Sequence, residues 1–208
     1  MIIIATSSEV MLSRFIHRQI DRISGDTDFH SICSVCQKLA ENANTLRNPT
    51  TDAGWTGLVV SPNIYNLYSN RPFIRPEDPG EVPNYGDVAI SATERARILA
   101  EYEANKSHFM NMETMEANLI AQLLGAFDPT YFETLLVGPT GYGQRTLHEY
   151  IDCLIRFYGH LTPRDHEDNH NNMRKPYNPS TPITTIFTQI QKGQEIASHD
   201  KINSTSLN

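Results

Sequence analysis

Twelve prolines are spread over the 208 residues, and none lies between Pro83 and Pro129. A proline lacks the N–H that a helix interior uses, and its ring clashes with the turn before it. The gap is therefore the place where this chain can build a long helix. Ser91-Ala-Thr-Glu94 has the form of a capping box, which sets the start. The spacing predicts a helix from Ser91 to Phe127. Met112, Met115, Leu119, Leu123 and Phe127 make one stripe, widened by Ile120 and Leu124. Ahead of them Ile98, Leu99, Tyr102 and Phe109 drift around the cylinder, which leaves room for a bend near Asn105 to Ser107. Methionine packs adaptably, so Met112 and Met115 are candidates for an interface as well as for the core.

Upstream of the gap the pattern is of shorter pieces. Leu12, Phe15, Ile16, Ile20 and Ile23 fall at helical spacing between Ser7 and Ile23. Arg14, Arg18 and Arg22 form a row on another face and are candidate RNA contacts. Glu9 and Asp21 interrupt that row, as on an ordinary solvated face. Gly25-Asp-Thr-Asp ends the helix, and Phe29, Ile32, Val35, Cys36 and Leu39 predict another reaching about Asn44. Cys33 and Cys36 stand in a Cys-x-x-Cys. Zinc would need two more ligands, and the remaining cysteine is the distant Cys153, so both thiols read as small hydrophobes. Gly57-Leu-Val-Val is the one plausible strand. Ser61-Pro62 starts a short helical turn carrying Ile64, Tyr65 and Leu67. Pro72, Pro76, Pro79 and Pro83 then predict an extended linker, partly polyproline II.

Downstream, Asp128-Pro129 restarts a helix that should bury Tyr131, Phe132, Leu135 and Leu136. Gly138-Pro-Thr-Gly-Tyr-Gly fits neither a P-loop nor a dinucleotide fingerprint and reads as a turn. Thr146-Leu-His-Glu149 is a second capping box, opening a helix with Leu147, Ile151, Leu154 and Tyr158 on one face. Gly159 is placed to end it in a left-handed cap. Thr162-Pro163, with Asp165 near the positive end of the dipole, opens a polar helix. Pro176, Pro179 and Pro182 forbid continuous helix from Met173 to Ile183, and Thr181-Pro182 launches one more. The chain thus reads as all-α with at most one short strand. Its regions are 1–70, N-terminal and helical; 71–90, a proline-rich linker; 91–197, a larger helical part; and 198–208, a polar disordered tail.

Function classes narrow next. A net charge of −7 argues against a broad basic surface for nucleic acid. Three cysteines fit reduced thiols, and the start Met1-Ile-Ile-Ile-Ala is too short for a signal core. No apolar run reaches membrane-spanning length. A cytoplasmic protein without membrane partners is the expectation. His166-Glu-Asp-Asn-His170 matches H-E-x-x-H, where two histidines one turn apart bind zinc and the glutamate acts as base. Its neighbours are polar on every side, whereas such a helix must pack on a core to hold its ligands. The pair His166 and His170 therefore reads as part of a solvated helix. A zinc-dependent hydrolase remains the rival reading.

Several separated motifs carry a likeness. Tyr158-Gly159, Thr162-Pro163 and Met173-Arg174 come first, then Pro176-Tyr-Asn-Pro179, Pro182-Ile183, Phe187 and Gln189-Ile190. In this order they resemble the Gag-like capsid polyprotein of copia-type LTR retrotransposons. Trp55-Thr-Gly-Leu-Val-Val-Ser-Pro62, Tyr65, Pro72-Phe-Ile and Pro79-Gly80 are similar to an upstream part of that family. Gln122-Leu-Leu-Gly-Ala-Phe-Asp-Pro-Thr-Tyr131 is similar to a middle part. The likeness runs from Phe29 to Ala197. Asn178 and Gln191-Lys192 depart from the family pattern, and His166 stands where an apolar residue is expected.

The resemblance implies a helical capsid-like bundle that associates with itself in a particle enclosing element RNA. It implies neither enzyme activity nor cofactor. Tyr177 and Phe187 become interface candidates, and RNA would be held through segments that this chain lacks. The chain ends before the family's next helical segment and zinc knuckle, so a truncated or degenerate copy is the expectation. A domesticated helical adaptor without self-assembly is the third reading.

Overall fold

The computed structural model describes residues 18–84 and 90–182, and then 185–186, 189–190, 193–194 and 196–197. The chain is all-α. Among the described residues five α-helices have defined bounds: α1 (Phe29–Ala43), α2 (Pro62–Tyr68), α3 (Ala92–Ala126), α4 (Leu147–Tyr158) and α5 (Pro163–Met173). Short 3-10 helices occupy Thr56–Leu58, Pro129–Leu135 and Gly138–Thr140, and there is no strand among the described residues.

One core joins the regions on both sides of the linker. Ile32, Val35 and Leu39 of α1 meet Met112, Met115, Leu119 and Leu123 of α3, with Leu147, Ile151 and Leu154 of α4 closing the third side. Trp55, Leu58 and Phe132 fill in from the connections. Spacings of three and four residues in each helix turn these side chains to one face, and burying each aliphatic one is worth about 1.5–3 kcal/mol. Capping sets the starts. The Asp28 carboxylate accepts the Ser31 N–H at 2.7 Å, while the Ser31 hydroxyl accepts the Asp28 N–H at 2.9 Å. Thr146 and Thr162 make the same reciprocal boxes with Glu149 and Asp165. At Ser91 half of the box forms, because the Glu94 carboxylate turns to Arg97.

Four expectations change. Residues 18–23, placed above in the first helix, are not helical. The buried Asn42 amide takes both the N–H and the C=O of Arg18, at 2.8 and 3.0 Å. Ile23 N–H goes to the Ala126 carbonyl at 2.8 Å. A helix would withdraw these backbone groups; the rest of that helix lies outside the described residues. The run Gly57 to Val60 is not a strand. Its N–H groups are met locally, Val59 and Val60 both donating to Thr56. Pro129 to Leu135 is 3-10 rather than α, and Leu136 points half into solvent. Gly159 has φ −83°, so it is not a left-handed cap. It is glycine for room, since a Cβ there would meet the Ile155 carbonyl.

The first turns of α3 carry no buried residue, and full burial along the helix begins at Met112. What lies along that stretch is the linker. The tail 198–208 and positions 85–89 fall outside the described residues.

Candidate functional site

The linker is a strap docked on α3. Its start is tied down by Ser69, whose hydroxyl bonds the Asp52 carboxylate and the Arg71 carbonyl. Asp52 also receives the Asn70 N–H at 3.3 Å. The Ser69 hydroxyl, then that N–H, hold the Asp52 carboxyl below the usual range.

From there burial follows a three-residue rhythm. Phe73, Pro76 and Pro79 are half-buried, and the residues between them are exposed. Three residues per turn is the repeat of a polyproline II helix. The body-facing edge is led by Phe73, whose ring meets Tyr65 edge-on at 5.6 Å and lies on Gly57. A Cβ on Gly57 would run into that ring, so the glycine shapes a notch for it.

The second edge carries charge. Arg75 forks onto the Glu116 carboxylate of α3, with Nη1 at 3.1 Å from Oε1. Asp78 meets Lys106 at 2.7 Å. The Lys106 ammonium, then the Gly80 N–H, depress the Asp78 pKa, and Asp78 raises that of Lys106. Tyr102 donates its hydroxyl to the Gly80 carbonyl at 3.0 Å. The strap therefore runs antiparallel to α3. Its third edge, with Ile74 72% exposed, faces solvent.

Glu116 is the pivot. It is only 7% exposed, and besides Arg75 it accepts the Leu147 N–H at 3.0 Å. That N–H is one of the unpaired donors at the α4 N-terminus, where a negative charge is favoured. One carboxylate thus fastens strap, α3 and α4 together. Nearby, Trp55 stacks on His108 with centroids 5.2 Å apart, and desolvation pushes the His108 pKa down.

The residues singled out from the sequence fall elsewhere. Met112 and Met115, each 1% exposed, are spent in the core and cannot serve as an interface, because the α3 stripe meets α1 and α4. The methionine of α3 that reaches solvent is Met110. Arg18 is paired with Glu41 at 3.3 Å and Arg22 with Asp128 at 2.8 Å, on a non-helical segment rather than in a helical row. Arg14 and Phe187 lie outside the described residues. Tyr177 is 36% exposed, and its hydroxyl donates to the Thr181 carbonyl at 2.6 Å, closing the proline elbow.

His166 and His170 lie one turn apart on α5, a helix that buries none of its residues. No group of three His, Cys, Asp or Glu suited to a metal occurs among the described residues. Cys36 is half-buried on α1 and its thiol is pushed up to about 12, mainly by desolvation, so it stays protonated.

Sequence reasoning missed Arg75 and Glu116. The signal was an acid set inside the α3 stripe, directly beside Met115. The arrangement is one of recognition: an extended segment read by an aromatic notch, a carboxylate and an ammonium. Compared with protein families, curated proteins and solved structures, the chain matches none of them.

Proposed function

We propose that this chain is a structural, Gag-like protein of a copia-type retrotransposon, associating with itself in a cytoplasmic particle that packages element RNA. The observation that carries this reading is the ordered set of motifs between Phe29 and Ala197, and the all-α fold of the described residues is compatible with it. Further support comes from what the helices do. Leu67 and Tyr68 of α2, with Val82 of the strap following them in sequence, stand in solvent where a partner would cover them. Among the described residues no helix is long and apolar enough to cross a membrane.

Light scattering of the purified protein across concentration and salt tests the reading, with metal content measured on the same sample. Growth in mass with concentration, without stoichiometric zinc, is the expected result. A monomer at every concentration overturns self-association and leaves the adaptor. One bound zinc per chain, lost on replacing His166 and His170 by alanine together with a hydrolytic activity, replaces it with the hydrolase.

A further inference from the structure

The strap is bound as a ligand would be bound. In three of its polar contacts with α3, Arg75 and Asp78 contribute side chains and Gly80 a backbone carbonyl. They form a short code. Phe73 fills the Gly57 notch, Arg75 two residues on takes Glu116, and Asp78 three further takes Lys106, with Pro76 between holding the extended form. Recognition of polyproline II helices by aromatic-lined grooves works in this way, because the ligand has little conformational entropy left to lose.

We infer that the face of α3 from Tyr102 to Glu116, with the Gly57–Tyr65 notch, is a binding site for an extended Phe-x-Arg-Pro-x-Asp segment. Its occupant in trans is the strap of a second copy of this chain. Charge and shape argue for that occupant, since the segment that matches Glu116, Lys106 and the notch is the chain's own residues 73–78. The assignment of a second copy rests on the self-association reading; the recognition chemistry of the site does not.

Tethering gives the resident strap an effective concentration on the order of millimolar, so it outcompetes a free copy until its own clasps are weakened. Exchange between copies keeps every contact while joining two chains.

A labelled synthetic peptide of residues 70–84, titrated by fluorescence anisotropy, tests this with full-length protein. The opened form is R75A/D78K, in which Glu116 loses the Arg75 guanidinium and Lys106 is repelled. A second opened form, F73A/D78K, keeps Arg75 on Glu116 should the first not fold by circular dichroism. The opened protein is expected to bind the peptide at least tenfold more tightly than wild type does. The same peptide carrying R75A and D78K is expected to lose at least tenfold on the opened protein. Equal binding to opened and wild-type protein, or equal binding of a scrambled peptide of the same composition, overturns the site. Growth in mass without peptide capture overturns strap recognition and leaves self-association standing. Peptide capture by a chain that stays monomeric, opened or not, overturns the second copy as partner.

Discussion

Helices α4 and α5 begin alike. In each, a threonine hydroxyl accepts the N–H three residues on, and the acid at that position reaches back to the threonine N–H. Their fates then diverge. Helix α4 buries Leu147, Tyr150, Ile151, Cys153 and Leu154; α5 buries nothing. It is held instead by polar attachments. His30 meets Asp165 at 3.0 Å, the Asn169 amide donates to the Gly193 carbonyl, and the Gln189 amide caps the carbonyl of Asn172 at 2.7 Å. The pair separates two decisions that sequence reading tends to merge. Capping chemistry sets where a helix starts, and apolar spacing sets whether the core receives it.

The largest break in the comparison is a matched truncation. Leu154→Ala leaves a hole among fully buried neighbours and is expected to cost about 2–5 kcal/mol in urea unfolding. Asn169→Ala in α5 removes one half-exposed contact and is expected to stay within about 0.5 kcal/mol. Equal shifts of the two midpoints would show that α5 is part of the same cooperative unit.

The two acidic clasps give the next contrast. Glu116→Gln removes the charge that Arg75 forks onto, and a hydrogen bond to a charged group is worth about 1.5–3 kcal/mol. His30→Ala opens the exposed α5 clasp, for which about 0–1 kcal/mol is the usual range. The Glu116 variant should also loosen the strap, seen as faster amide exchange at Gly80 and Leu147 together.

Caps were legible because they need only neighbours in sequence. Ser91, Thr146 and Thr162 declare their helices within four residues, and the stripe of α4 names its own buried face. The docked strap was half legible. Its prolines announce an extended path, yet the pairing of Arg75 with Glu116 spans 41 positions and no local rule supplies it. Arg18 to Ile23 misled for the same reason. Their spacing is helical, but Asn42 and Ala126, far along the chain, claim the backbone groups that a helix would need. The polar helix α5 shows the limit from the other side, since His166 and His170 sit at metal-binding spacing without a core to hold them.

A third contrast compares the caps themselves. Thr146→Ala and Thr162→Ala each remove the same hydroxyl, at about 1 kcal/mol. In α4 that loss is felt by the whole core, so the urea midpoint should move. In α5 it should appear only as faster exchange of amides from Asp165 to His170, with the midpoint unmoved.

Acid offers the finest separation, because His108 beside the core and Asp165 on α5 titrate in different windows. Burial lowers the His108 pKa, so the folded chain binds fewer protons there than the unfolded chain does. Its contribution is complete above about pH 6.5 and declines as pH falls below that value. Asp165 behaves otherwise. The Thr162 hydroxyl and N–H, then His30, bring its pKa to about 2, so its contribution persists until pH falls below about 4. Between pH 7.5 and 5 the urea midpoint should therefore drop, while the protection of first-turn amides in α5, measured against their intrinsic exchange, stays unchanged. His108→Phe should flatten that slope, and Asp165→Asn should leave it in place while speeding α5 exchange at every pH tested. A slope that survives His108→Phe would move the acid-sensitive group away from the Trp55 contact. A slope abolished by Asp165→Asn would instead place α5 inside the core's cooperative transition, and the contrast between the two helices would be lost.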